Sequence, residues 1–270
     1  MKKIIFISAA LLLSVTVFAQ ENSLHLTNRE LKKIRRNEVL RNQQSNQYEH
    51  EFDVGGRLNT NGWSAYLDYE RMTSEVTHTM FQFEFGEIKD PKENKQARQQ
   101  GFDVFGYPYT GNSFVYGKQN IFYQAKLGIG QRRVIGGKGN KNGVEVSAIY
   151  LGGISLGLVK PYYLELYDTT TQGASYQKYT PENANTFLNP NNIVAGPGFG
   201  KGWSEVKFVP GLYGRVGMRF DWAEFDQVVS AVEVGVDGEF YAQKINIMVN
   251  NPGKRFYYGA YVSLLFGKRW

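Results

Sequence analysis

The chain has 270 residues, no cysteine, a formal net charge of +6, and 18 tyrosines and 18 phenylalanines beside 30 glycines. Without cysteine it has neither a disulfide framework nor a lipid anchor on an N-terminal cysteine. The pI near 9.2 raises nucleic acid as a partner, but no basic recognition element accompanies it and the chain opens on an export signal, so no nucleic-acid partner is expected.

That signal comes first. Lys2 and Lys3 precede an apolar run from Ile4 to Phe18, which ends Val17-Phe18-Ala19 before Gln20. A basic n-region, an apolar h-region and a small residue at the cleavage position predict a secretory signal peptide over 1–19. The run is short for a membrane-spanning helix, which needs about 20 residues, and no other run is apolar enough. If the exported protein enters a membrane, it enters as a closed barrel.

Residues 20–47 form a basic leader. Thr27 with Glu30 three residues on makes a capping box. Leu31 and Ile34 then share one side among Lys32, Lys33, Arg35, Arg36 and Arg41, which predicts a short helix within Thr27–Gln44. Three readings stay open for it: a solvated leader, a plug against acidic groups, or a contact with an anionic partner.

From Tyr48 the pattern has period two, the mark of strands with unlike faces. Phe52, Val54 and Leu58 oppose Glu49, Glu51, Asp53 and Arg57, and Thr60-Asn61-Gly62 supplies a hairpin turn. Trp63, Ala65, Leu67 and Tyr69 then oppose Ser64, Tyr66, Asp68 and Glu70; Phe81, Phe83 and Phe85 oppose Gln82, Glu84 and Gly86. A charged segment, Asp90 to Gly111, is too polar for lipid, and a weak fourth strand follows at Ser113–Gly117. In the fifth strand Ile121, Tyr123, Ala125, Leu127 and Ile129 oppose Gln124, Lys126, Gly128, Gly130 and Arg132. After a Gly- and Lys-rich connection at Gly136–Gly143, a sixth sets Val146, Ala148, Tyr150, Ile154 and Leu156 against Glu145, Ser147, Gly153 and Ser155. A short seventh lies at Tyr162–Tyr167, before a long loop over 168–204. The eighth turns Phe208, Leu212, Val216, Met218 and Phe220 one way, and Lys207, Tyr213, Arg215, Arg219 and Asp221 the other. The ninth pairs Val232, Val234, Val236 and Phe240 with Glu233, Asp237, Glu239 and Tyr241.

The last strand is the clearest. Phe256, Tyr258, Ala260, Val262, Leu264, Phe266 and Trp270 form a greasy face with aromatics at both ends; Tyr257, Gly259, Tyr261, Ser263, Leu265, Gly267 and Arg269 form a smaller, more polar one. That suits lipid on one side and a narrow polar lumen on the other. With the signal peptide, the alternation and the terminal Phe266–Trp270, residues 48–270 resemble the small Gram-negative outer-membrane β-barrels, the porin-like and OmpA-like group. The resemblance implies a transmembrane antiparallel up-and-down barrel of about ten strands, or eight if the fourth and seventh are loop. It implies outer-membrane localisation and contact with outer-membrane lipid. It also implies that Tyr258, Val262, Leu264, Phe266 and Trp270 form the signal read by the barrel-assembly machinery. Counting ten strands back from a periplasmic C-terminus puts the connections near Asn250, 168–204, Gly136–Gly143 and 90–111 outside. Those near Ala223–Gln227, Lys160, Gly117–Asn120 and Thr73–Glu75 fall inside.

The inward charges sort by strand. The first three are acidic, with Glu49, Glu51, Asp53, Asp68, Glu70 and Glu84; the fifth and eighth are basic, with Lys126, Arg132, Lys207, Arg215 and Arg219; the ninth adds Glu233, Asp237 and Glu239. A barrel this small has an interior that side chains nearly fill, and buried charges need partners. A lumen crossed by ion pairs is therefore expected, with a narrow ion-selective pore as the competing reading.

Enzyme chemistry finds little material. Of the three histidines, His25 precedes the basic helix, and His50 and His78 begin the first and third strands at the periplasmic end. No metal-ligand spacing is present, and the glycines of Gly196–Gly202 precede no helix, so no phosphate cradle forms. No catalytic residue, metal or cofactor is expected. The function expected is an accessory or structural subunit of an outer-membrane assembly, such as a secretion or barrel-insertion complex, meeting partners through Thr27–Gln44 and the loops 90–111 and 168–204. A small passive channel is the alternative.

Overall fold

The computed structural model describes residues 48–74, 76–102, 107–137, 143–168, 172–223 and 227–270. The predicted signal peptide over 1–19 and leader over 20–47, with its helix, lie outside the described residues.

Eight antiparallel strands close into one ring. They are β1 (His50–Asn59), β2 (Gly62–Ser74), β3 (Thr77–Ile88), β4 (Asn120–Gly136), β5 (Glu145–Pro161), β6 (Lys207–Asp221), β7 (Val228–Ile245) and β8 (Lys254–Arg269). Each pairs with its neighbours in sequence, and β8 pairs back on β1 from Glu51↔Arg269 to Asn59↔Tyr261. His50 and Trp270 finish the seam by exchanging backbone hydrogen bonds at 3.0 Å in both directions. A closed ring leaves no strand edge unpaired, which is what a strand in lipid requires.

The count is eight and not ten. Phe114–Val115, expected as the fourth crossing, pairs with Lys95–Gln96 in a small sheet. Tyr163–Asp168, expected as the seventh, is the middle strand of a three-stranded sheet with Gly173–Lys178 and Ile193–Ala195. Both are short of the roughly 9–11 residues that a tilted strand needs to cross a bilayer. Phe114, Tyr162, Leu164, Leu166, Phe187 and Ile193 pack into a core of their own. Alternation toward a local core and alternation toward lipid look identical in sequence, so the pattern alone does not tell these two segments from crossings.

Removing two crossings also moves a connection. The described residues of 89–119 and 162–206, with 246–253 and the turn at Thr60-Asn61, lie at one end of the barrel, and Lys160 and Gly117–Asn120, expected among the inner connections, lie there with them. His50, Trp270 and the remaining connections lie at the other. The Gly136–Gly143 connection, expected among the long external loops, therefore joins β4 to β5 at the end that carries His50 and Trp270.

The outward positions make an apolar belt. Phe52, Leu67, Phe81, Phe83, Leu127, Ile129, Ile154, Leu212, Val216, Val236, Val262, Leu264 and Phe266 are all exposed, while the polar residues between them are buried. Such an inside-out distribution contradicts an aqueous surface and fits a hydrocarbon one. Among the described residues no helix is long and apolar enough to cross a membrane.

Candidate functional site

The interior is built from glycine, tyrosine and charge. Inward glycines leave room that tyrosine rings from the neighbouring strand, or from the strand beyond it, occupy. A Cβ on Gly55 would fall 2.3 Å from the Tyr66 ring, directly opposite it in the β1–β2 register. One on Gly128 would fall 2.1 Å from the Tyr213 hydroxyl, and one on Gly217 2.4 Å from that of Tyr261. The rings lie against the wall and turn a face toward a cation. The Arg57 guanidinium sits 4.1 Å from the Tyr66 ring centre and 4.6 Å from that of Tyr261; Lys126 sits 5.3 Å from Tyr213. Cations held over aromatic faces keep part of the stabilisation they lose on leaving water.

Carboxylates then tie these cations together from across the lumen. At mid-height Glu84 accepts from Arg57, from Arg215 at 2.8 Å and from Lys126 at 3.1 Å. Arg57 also reaches Glu233 at 3.3 Å, Lys126 reaches Glu239 at 2.5 Å and Asp237 at 3.9 Å, and Arg215 donates to Gln82 at 2.6 Å. Asp68 accepts from Gln82 at 2.7 Å. Nearer His50 and Trp270, Arg219 donates to Glu51 at 2.8 Å, Asp53 at 2.5 Å and Glu70 at 3.1 Å. Arg132 binds Glu51 at 2.8 Å, Glu70 at 2.7 Å and Glu145 at 3.2 Å; Arg269 joins Glu51 to Asp221 at 2.7 Å each. Glu51, Glu70 and Glu84 each bridge two or three cations, which ties the ion pairs into networks where water does not reach.

Of the residues expected in this network, Glu51, Asp53, Asp68, Glu70, Lys126, Arg132, Arg215, Arg219, Glu233, Asp237 and Glu239 lie buried in the lumen. Glu49 and Lys207 do not. Both are exposed at strand ends, Glu49 just before β1 and Lys207 at the first residue of β6, where alternation no longer implies enclosure. Sequence reading turns Arg57, Glu84, Asp221 and Arg269 inward without assigning a hub. In the structure Glu84 and Arg57 stand at the centre, and Arg269 spans to β1. The tyrosine platforms are legible in sequence only as inward aromatics beside inward glycines.

His78 lies 3.9 Å from Glu70 and His50 bonds the Tyr69 hydroxyl at 2.9 Å, both at the His50–Trp270 end. Glu51, Glu70 and His78 bring three donor atoms within 4.8 Å of one another. Arg132, Arg219 and Arg269 already occupy those two carboxylates, so the trio offers a cation little free negative charge.

At the opposite end the lumen is closed by apolar side chains. Ile88, Val115, Phe122, Val159, Val209, Tyr241, Ile245, Ile247, Met248 and Tyr257 form one buried cluster drawn from strand ends and two loops. Backbone bonds hold the loops there: Gln119 N–H to Ile247 at 2.8 Å and Val249 N–H to Gly117 at 2.8 Å. Lys118, buried beneath them, donates to Glu93 at 2.6 Å, and Asn251 donates to Asp90 at 2.8 Å. The charged network is thus covered by an oily lid at the long-loop end.

A closed ring with lipid-compatible walls and an ion-paired interior suits a membrane. The fold is a closed, eight-stranded membrane-type β-barrel.

No protein-family model and no curated protein matches this chain. Among solved structures it is similar to a major outer membrane protein of Thermus thermophilus, at 12% identity and a TM-score of 0.40, over 82% of this chain and 99% of that one. Neisserial surface protein A is similar at 7% identity and TM-score 0.37, over 82% and 96%. The attachment invasion locus protein Ail of Yersinia pestis, solved with the heparin analogue sucrose octasulfate, is similar at 11% and 0.33, over 82% and 95%. Likeness at this level carries nothing about activity.

Proposed function

We propose that this protein is a non-conducting, non-enzymatic outer-membrane barrel that serves as an accessory or structural subunit of an outer-membrane assembly. The observation that carries this reading is the double closure of the lumen. A ladder of ion pairs centred on Glu84 spans its middle, and the Phe122–Met248 cluster covers its long-loop end. A solute would have to break buried pairs and displace packed apolar side chains, which supports work done on the outer surface and loops instead. The segments available for partners are Thr27–Gln44 and the loops 90–111 and 168–204, and the export signal over 1–19 with the β8 assembly signal would bring the protein to its membrane.

The test has two arms. In planar bilayers the purified full-length mature protein gives no stepwise current. A channel would instead show steps whose size changes when Arg215 or Glu233 is neutralised. Mild-detergent purification from native membranes yields a stoichiometric partner that is lost when residues 27–44 are deleted. Steady conductance, with no partner at any stoichiometry, would overturn the proposal in favour of a passive channel.

A further inference from the structure

The hairpin joining β7 to β8 parts from both neighbouring ladders at one height. On the β6 side the ladder ends at Gly211↔Tyr241, although β7 runs on to Ile245. Among the described residues Lys207–Pro210 pair only with β5, and Pro210, next in line, has no N–H to offer a neighbour. On the β8 side the register runs to Phe240↔Phe256 and resumes only at Ile245↔Lys254. Four residues, Tyr241–Lys244, therefore stand against one, Arg255. A bulge of this kind bends its strand. Ala242, Gln243 and Lys244 are exposed in succession, instead of alternating as in the wall.

Beyond this joint the chain turns in over the lumen. Ile245, Ile247 and Met248 are buried with Phe122, Val159, Val209 and Tyr257. The clasp that holds them down is polar and local. Gln119 N–H bonds Ile247 at 2.8 Å and Val249 N–H bonds Gly117 at 2.8 Å. Asn120 Nδ2 donates to Asn246 at 2.7 Å; Asn251 donates to Asp90 at 2.8 Å and accepts from Lys92 at 2.7 Å. All of these ties run to residues 90–120. The lumen ion pairs described above have no member between Ala242 and Arg255.

We infer that Ile245–Lys254 is a hinged lid. It swings about Tyr241–Lys244, releases its clasp on residues 90–120, and opens the apolar end of the lumen to the long-loop side while the ion pairs below stay shut. Opening brings buried apolar side chains to water, so the closed form is the resting one. Of the two closures of the lumen, one moves and the other does not.

The test is amide hydrogen exchange, read residue by residue on the full-length mature protein in phospholipid nanodiscs. The clasp amides of Gln119 and Val249 exchange together, about a hundredfold faster than those of Val228–Phe240. Lys118 and Met248 are bridge partners, close enough for a disulfide, and the chain has no cysteine of its own. In K118C/M248C oxidation slows both clasp amides about tenfold and reduction restores them. Asn251→Ala, which cuts the ties to Asp90 and Lys92, speeds both about tenfold, leaves the wall unchanged and gives no planar-bilayer current. Clasp amides that exchange at the rate of the wall would overturn the inference, as would wall amides that accelerate with them in Asn251→Ala. An oxidised variant exchanging as fast as its reduced form would do the same. Current from Asn251→Ala would overturn the fixed closure beneath the lid.

Discussion

Arg215 on β6 and Glu84 on β3 meet at 2.8 Å from opposite walls of the barrel, and neither side chain is accessible to water. Glu84 also accepts from Arg57 and Lys126, so one carboxylate is shared by three cations. Glu84→Gln keeps the shape and removes the charge, leaving those cations facing an amide. The loss expected is about 3–5 kcal/mol, the range for breaking a buried pair from one side. Denaturant unfolding from phospholipid vesicles measures it; an unchanged midpoint would mean that the network does not hold the lumen together.

Glycine positions separate by the face they present. A Cβ on Gly235 would fall 2.3 Å from the Val216 carbonyl oxygen, a backbone atom that cannot swing aside. Gly56 faces outward with nothing within 4 Å. Gly235→Val is expected to destabilise the barrel by about 1–3 kcal/mol through overpacking, with Gly56→Val close to neutral. The folded fraction after refolding into detergent compares the two directly.

Outside the barrel wall, Glu205 accepts from both Lys178 and Tyr163. Those bonds, Lys178 first, hold the Glu205 carboxyl below its ordinary value, and the Glu205 bond holds the Lys178 ammonium above its own. A depressed carboxylate contributes above its unfolded value, about 4.3, and stops contributing as pH falls through the folded one. A raised lysine contributes below about 10.4 and stops as pH rises through its folded value. The latch is therefore intact across neutral pH. Amide exchange in Gly173–Lys178 should be faster in Glu205→Gln than in the wild type at pH 7, and the two should converge as acid protonates Glu205. A difference that persists unchanged in acid would remove the latch.

Phe266 is 61% exposed on the outward face of β8, and Trp270 closes the seam with His50. Phe266→Asp is expected to lower the amount of assembled barrel in cells by about tenfold or more, since a carboxylate on the lipid face is costly. Lys268→Ala, on the same face nearer the end, should leave assembly intact. Membrane fractionation with heat-modifiability distinguishes them, and equal assembly of all three proteins would refute a role for this face.

The alternation of the first three strands and the last three identifies which residues point inward, and the lumen residues fall on the faces so assigned. Two kinds of residue escape it. Lys207 and Glu49 obey the alternation but stand where a strand leaves or has not yet entered the wall. Tyr162, Leu164 and Leu166 alternate just as well, but against a loop core instead of lipid.

What the sequence determined by itself is the face of each side chain, because the two-residue repeat of a strand is set by backbone geometry and needs no tertiary contact. The tertiary structure alone decided the number of crossings, the end at which the Gly136–Gly143 connection lies, and which charge answers which. Arg219 and Asp53 are separated by 166 positions and adjoin only because ring closure sets β6 and β1 across a lumen too narrow to hold their charges apart.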